Sequence, residues 1–536
     1  MKYDFTTLPQ RQGWDAIAVD GPGRVSWAPR APKEGFDLIP MWIADMNFAA
    51  VPTIPQALHT RVDHTTYGYF EPRQEYYDAI IRWQNRRNGV EGLKPEHIGY
   101  ANGVLGGVAS ALGVLCSRGD NVLVHSPTYI GFTKTLNNNG YHIIHSPLVK
   151  DETGVWRMDF ADMEKKIVDN KIHTAILCSP PNPCGRVWER WELEQAMALY
   201  KKYDVFVISD EIWSDLTLTG CRHIPTQSVS EDARMRTVAM YAPSKTFNLA
   251  GLVGSYSIIY NSWLRHRIDK EQSLCHYNSM NVLSMYALMG AYQEEGYEWL
   301  EELRQVLTGN IDFACDFIAQ RLPGVSVSRP EGTYMLFVDC TDWCAAHGKT
   351  IDDVLSACWD VGVAVQDGRQ FHGPCHLRMN LALPRHRVEE AFRRMEKFVF
   401  TKSPRSSPGR QSETMVEAVL GAMGKNGSVR RSGKIDQRTE KQDWVFQSCF
   451  LHLSSFECLF LPSGQRYRNA QVAGAGLGGV NLPVMGAYDG AGDGQADAVS
   501  AGLGVPGRVC AVEAFKKPVE IPLRQGHGGY ILYRQS

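Results

Sequence analysis

Lys245 stands in Ala242-Pro-Ser-Lys-Thr-Phe-Asn248, just beyond the apolar run Thr237 to Tyr241 and ahead of the small-residue run Leu249 to Gly254. A lysine framed by small and hydroxyl residues at the end of a buried strand is desolvated, so its amine is uncharged near neutral pH and attacks carbonyl carbon. That makes Lys245 a Schiff-base candidate. Taken alone, a lysine at a strand end is more often a solvated surface charge. What lifts it above that reading is company: Tyr129, Asn182 and Asp210 also fall at or just past the ends of predicted strands.

The elements that must position these side chains follow a regular alternation. The spacing predicts strands at Asn121 to His125, Tyr141 to His145, Thr174 to Cys178, Val205 to Ser209 and Thr237 to Tyr241, with amphipathic helices between them. Continuous β-branched runs separated by helices predict a mainly parallel sheet covered on both faces, and such sheets bind ligands at the carboxyl ends of their strands. Earlier in the chain, the strand Ile98 to Asn102 enters the turn Gly103-Val104-Leu105, which opens a helix with free backbone N–H groups suited to phosphate. The apolar run Leu38 to Asp45 reads as a further buried strand bordering the site. Helices are expected across Trp263 to Gln305. A second, smaller α/β unit follows: helix 310–321, strand Thr333 to Val338, helix 351–360, strands Val361 to Val365 and His376 to Leu381, and a closing helix from Arg385.

A chain of 536 residues is too long for one ordinary domain. We divide it into an N-terminal arm (1–45), a large domain (46–290), a small α/β domain (291–400) and a tail (401–536). The tail follows a Ser- and Pro-rich linker, holds about two-fifths of the 49 glycines without a repeat, and reads as disordered or poorly packed. Its Gly474 to Gly479 stretch fits G-x-G-x-x-G but lacks a preceding strand, so dinucleotide binding is not expected there. A net charge of −2 offers nucleic acid no basic surface, and no apolar run has the ~20 residues a membrane span needs. The 13 cysteines include no C-x-x-C pair and no zinc spacing, so reduced thiols, a cytoplasmic setting and no metal are expected.

One cofactor asks for this whole set. Pyridoxal phosphate needs a lysine for its aldehyde, an acid at the ring nitrogen, a donor to the ring oxygen, a stacked ring and a phosphate cradle. Lys245, Asp210, Asn182 and Tyr129 supply the first four; the backbone of Gly103, Val104 and Leu105, with Ser244, supplies the cradle. Arg378 is a suitable fork for a substrate carboxylate. Each has a plainer reading, since Asn182 can shape a turn, Asp210 can cap a helix and Arg378 can be a surface ion pair.

Ser179-Pro-Pro-Asn-Pro-Cys-Gly185, Ser209-Asp-Glu-Ile212 and Ser244-Lys-Thr-Phe-Asn248 resemble the signature of fold-type I pyridoxal-phosphate enzymes of the class I/II aminotransferase superfamily. The resemblance covers residues ~1 to 400 and implies an aspartate-aminotransferase-like fold. Trp42-Ile-Ala-Asp-Met-Asn-Phe48 and Tyr67-Gly-Tyr69 are similar to the MalY/PatB-type cystathionine β-lyases. That likeness implies a homodimer in which Tyr69 reaches the partner's cofactor, with Arg378, Asp45 and Asn47 at the substrate. The sequence departs from the family pattern at Val253, where many aminotransferases have a phosphate-binding arginine, at Ala242 for serine, at Trp213 for tyrosine or histidine, and at Asn47 for aspartate.

The implied activity is α,β-elimination from an L-cysteine S-conjugate such as cystathionine, giving pyruvate, ammonia and a thiol. Transamination of an amino acid is the rival within the same chemistry, and a cofactor-binding regulator acting through protein contacts is the rival outside it.

Overall fold

The computed structural model describes residues 1–274 and 279–401. Apart from Thr401, the glycine-rich tail, with Gly474 to Gly479, lies outside the described residues.

Seven strands form the main sheet: β1 (Ile98–Asn102), β2 (Asn121–Ser126), β3 (His142–Pro147), β4 (Thr174–Cys178), β5 (Phe206–Asp210), β6 (Thr237–Tyr241) and β7 (Gly254–Ile258). Their spatial order is β1-β7-β6-β5-β4-β2-β3, and only β7 runs antiparallel to its neighbours. Side chains alternate across it as the strand period requires. Val122, Val124, Ile176 and Ile208 pack with helices α1 (Gly103–Leu115) and α2 (Ile130–Asn138) on one face. Leu123, Ala175, Leu177 and Val207 pack with α3 (Phe160–Asp169) and α4 (Arg190–Lys202) on the other. A mostly parallel sheet buried on both faces is the α/β architecture the alternation predicts.

The strand β7 was not legible from its sequence, Gly-Ser-Tyr-Ser-Ile, whose two serines and glycine lack a strand's β-branched run. It forms because Tyr256 and Ile258 pack into the core and both edges are paired. Helix α5 (Glu294–Arg321) is also longer than expected: one 28-residue helix replaces a break before residue 310. Gly309 and Asn310, which suggest the break, are absorbed because Asn310 is buried and donates to the carbonyls of Leu381 and Leu383.

A second, antiparallel sheet has the order β8-β9-β11-β10, from β8 (Ser326–Val327), β9 (Met335–Asp339), β10 (Gln366–Asp367) and β11 (His376–Asn380). Arg378 sits mid-strand in β11, opposite Phe337 and Gln366.

The run Leu38 to Asp45 is not the strand expected. Only Ile39–Pro40 pairs, in parallel with Val363–Ala364. Beyond it the backbone is largely shielded yet irregular, and side chains take the carbonyls that a ladder would otherwise satisfy. Arg378 donates to Trp42 O at 2.9 Å, Asn380 to Ile43 O at 2.7 Å and Asp45 O at 2.5 Å, and Lys245 to Ala44 O at 2.9 Å. Asn248, in the left-handed region at φ +58°, closes the series with reciprocal 3.0 Å bonds to Met46 N and O. The segment is thereby a strap laid across the strand ends.

Candidate active site

A cavity of about 200 Å³ opens at the carboxyl ends of the central strands. Gly103, Val104, Leu105, Tyr129, Asn182, Asp210, Ser244 and Lys245 all line it, so eight of the predicted residues, drawn from at or just beyond five strand ends, converge. Cys178, Ile212, Trp213 and Val253 complete much of the wall.

Lys245 lies on a single-turn helix, Pro243–Thr246, directly after β6. Proline at its start presets the backbone. The next residue, Thr246, is buried and donates to Asp215 at 3.0 Å, which also accepts from the Trp83 indole and faces Arg87. The turn is therefore anchored from below, and Lys245 projects into the cavity. Burial and the positive field of Arg378 lower its amine to about 8, against the opposing pull of Asp45 and Asp210. Asp210 ends β5 and is buried, and its carboxyl is pushed up to about 7 by desolvation, although the Ile212 N–H at 3.1 Å and Lys245 favour its ionised form. An acid and an amine each destabilised in its charged form, in one cavity, mark a site built for a charged guest.

Arg378 is 4% exposed and, among the described residues, has no carboxylate partner. Its nitrogens donate to Asn182 Oδ1 at 3.2 Å, to Trp42 O and to Gln366 Oε1, the Phe371 ring lies 4.4 Å from its guanidinium, and Nε is unpartnered. Burial lowers it to about 10. A buried guanidinium held only by neutral groups is suited to an anion. Because Asn182 commits its oxygen to Arg378, its amide nitrogen is the end left for a ligand.

Tyr129 caps α2, and its ring lies over Gly131, where a Cβ would stand 2.3 Å from Tyr129 Cε1. Phe132 meets the ring edge-on at 5.5 Å. Gly103 opens α1 at φ +72°, a conformation that favours glycine. Its neighbour across the cavity rim, Val253, is itself left-handed at φ +60° and 47% exposed; it brings no charge to the place where an arginine was looked for. Trp213 is buried, edge-on to Tyr334 at 4.8 Å, with its ring 5.8 Å from the Lys245 amine.

Four predicted residues are not on the cavity wall: Arg378, which bonds the wall residue Asn182, and Asp45, Asn47 and Tyr69. Asp45 and Asn47 lie on the strap rather than the cavity wall and are both engaged by Arg11 from the N-terminal arm. Tyr69 is fully exposed and borders a different, open groove of about 600 Å³ with Tyr67, Phe70, Tyr76 and Tyr100. Sequence reasoning missed Arg11, Gly131, Gln366, Phe371 and Asn380. Only Gly131, placed two residues past an aromatic cap, carried a local signal; the others are brought in by long-range packing.

Residues 45–395 match the profile of the aminotransferase class I and II family. The chain is 33% identical over 363 residues to cystathionine beta-lyase PatB of Bacillus subtilis, covering 67% of this chain and 92% of that one. It is 29% identical over 399 residues to protein MalY of Escherichia coli, covering 72% and 96%. Among solved structures, the PLP-bound C-S lyase of Staphylococcus hominis superposes with a TM-score of 0.68 at 28% identity, over 75% of this chain and 99% of that one.

Proposed function

We propose that this chain, which belongs to the aminotransferase class I and II family, is a pyridoxal-phosphate-dependent carbon-sulfur β-lyase acting on L-cysteine thioethers such as cystathionine. The observation that carries the proposal is the pairing, in one cavity, of an amine lowered to about 8 with an acid raised to about 7, beside an arginine that lacks an anion.

The cavity suits the cofactor's parts. Lys245 would carry its aldehyde, and the Asp210 carboxylate would recover its desolvation cost against a protonated ring nitrogen. The Asn182 amide would donate to the ring oxygen and Tyr129 would cover a face. The free N–H groups that open α1, with Ser244, would hold the phosphate. When bound, the group supplies an electron sink for the pair left by breaking the Cα–H bond. The remaining work falls to the chain. Arg378 grips the α-carboxylate and turns the Cα–H bond toward Lys245; Lys245 takes that proton; the strap, through Trp42 and Ala44, closes the site over both. Loss of thiolate from Cβ and hydrolysis of the enamine product give pyruvate and ammonia. The uncharged Val253 and the identity to PatB both favour elimination over amino-group transfer.

We also propose that the enzyme is a homodimer. The exposed Tyr69 and its aromatic groove are suited to a second copy, Tyr69 completing the partner's site as the resemblance implies. The separate sheets support a division into residues 46–290 and 291–400. Among the described residues no helix is long and apolar enough to cross a membrane, and the nine described cysteines are unbridged, which suits a cytoplasmic setting.

The test is turnover of L-cystathionine by purified protein without an added keto acid, with the visible cofactor band recorded for wild type and Lys245→Ala. Pyruvate released by wild type alone supports the lyase. Product formation that requires a keto acid makes the enzyme an aminotransferase, and the absence of a cofactor band sinks both.

A further inference from the structure

The N-terminal arm places one charged group against the strap, and the site described above does not use it. Arg11 forms an ion pair with Asp45 and donates to Asn47 Oδ1 at 2.8 Å and Met46 O at 3.3 Å. Both members of the pair are shielded, at 16% and 18% side-chain exposure. Asp45 directly follows Ala44, whose carbonyl holds the Lys245 amine at 2.9 Å. The charged groups facing that amine are therefore Asp45 from the strap, Asp210 from β5 and Arg378 from β11. Asp45, Arg11 and Arg378 also act on the Tyr334 hydroxyl, which is buried without a partner.

We propose that Arg11 is a positioning residue that occupies the Asp45 carboxylate and so keeps the Lys245 amine in its uncharged, nucleophilic form. With Arg11 in place the carboxylate is paired, so only part of its pull reaches the amine. Without it, Asp45 is an uncompensated anion in a shielded setting, and Lys245 is a cation within its reach. An opposite charge at such range favours the protonated amine. The arm is thus more than a wrapping segment: a residue 234 positions before the lysine sets the lysine's charge. The inference bears on the proposed function only through the role given there to Lys245.

The experiment uses the full-length chain, freed of bound carbonyl compounds with hydroxylamine. Trinitrobenzenesulfonate labelling of Lys245 is followed against pH and quantified on the Lys245 peptide by mass spectrometry. Wild type should show a midpoint near the value of about 8 that its surroundings impose. Arg11→Gln should raise the midpoint by about one pH unit, Arg11→Lys should leave it in place, and the Arg11→Gln, Asp45→Asn double variant should bring it back to the wild-type value or below. An unmoved midpoint in Arg11→Gln overturns the proposal. So does a rise that persists in the double variant, because that is the mark of a disrupted strap rather than of a freed carboxylate. The visible spectrum of untreated chain, recorded beside these, judges the cofactor reading separately.

Discussion

Replacing Asp210 with asparagine removes a charge while keeping the shape of the side chain, and the structure sets the size of the effect on the cofactor-free protein. The carboxyl is pushed from its ordinary 3.8 up to about 7 by burial. Its folded-state value is raised, so the group binds its proton more tightly when folded. It costs nothing below pH 3.8, costs progressively more as pH rises from there to 7, and carries its full cost above. A shift of about 3 units corresponds to roughly 4 kcal/mol at pH 8, falling to roughly 2 kcal/mol at pH 5. Asp210→Asn should therefore stabilise the cofactor-free chain, with a melting temperature about 5 °C or more above wild type at pH 8 and a gap that narrows toward pH 5. The same variant should lose the lyase activity, because the acid that holds the ring-nitrogen proton is gone. Thermal melts of both proteins across pH 5 to 8, without cofactor, measure the difference. If Asp210→Asn melts below wild type at pH 8, the carboxylate is already compensated by its own protein. It then has no call on a cationic ligand, and the reasoning that assigns it to the cofactor fails.

Two further outcomes follow from the geometry. Gly131→Ala places a methyl 2.3 Å from Tyr129 Cε1 and 2.8 Å from Leu105 Cδ1. Overpacking of this kind costs about 1–3 kcal/mol, so cofactor affinity measured by equilibrium titration should fall roughly 5- to 150-fold; unchanged affinity would show that the Tyr129 ring is not held where it matters. Arg378→Lys exchanges a bidentate fork for a point charge, and kcat/KM for a cysteine thioether should fall by about 10²-fold. The loss should be much smaller for the corresponding carboxamide substrate, and equal losses on both would remove Arg378 from the carboxylate.

The legible part of this site is the part written in short motifs. Lys245, Asp210, Asn182 and Tyr129 each sit within four residues of a strand whose β-branched, apolar character is local. A parallel sheet covered on both faces must bring such strand ends to one edge, so their convergence followed from period and order alone. β7 escaped notice because its strand character comes from neighbours on both sides rather than from its own residues. The break expected before residue 310 vanished for a related reason: a buried asparagine bound to two carbonyls outweighs a weak helix former.

What the amino-acid sequence determined by itself is six of the seven strands of the large sheet, the order of their chemistry-bearing ends, and the placing of Lys245, Asp210 and Asn182 at those ends. Those depend on interactions within a few residues and on the alternation of polar and apolar positions. Only the tertiary structure decided how strongly the site is poised. The lowered amine, the raised acid and the arginine without an anion are effects of burial, and burial belongs to the packed whole. The strap is the clearest instance. Its sequence reads as a strand, yet Arg378, Asn380, Lys245 and Asn248 take its carbonyls from 201 to 337 residues away, and Arg11 holds its carboxylate across a gap of 34. No local pattern encodes a partner at that range.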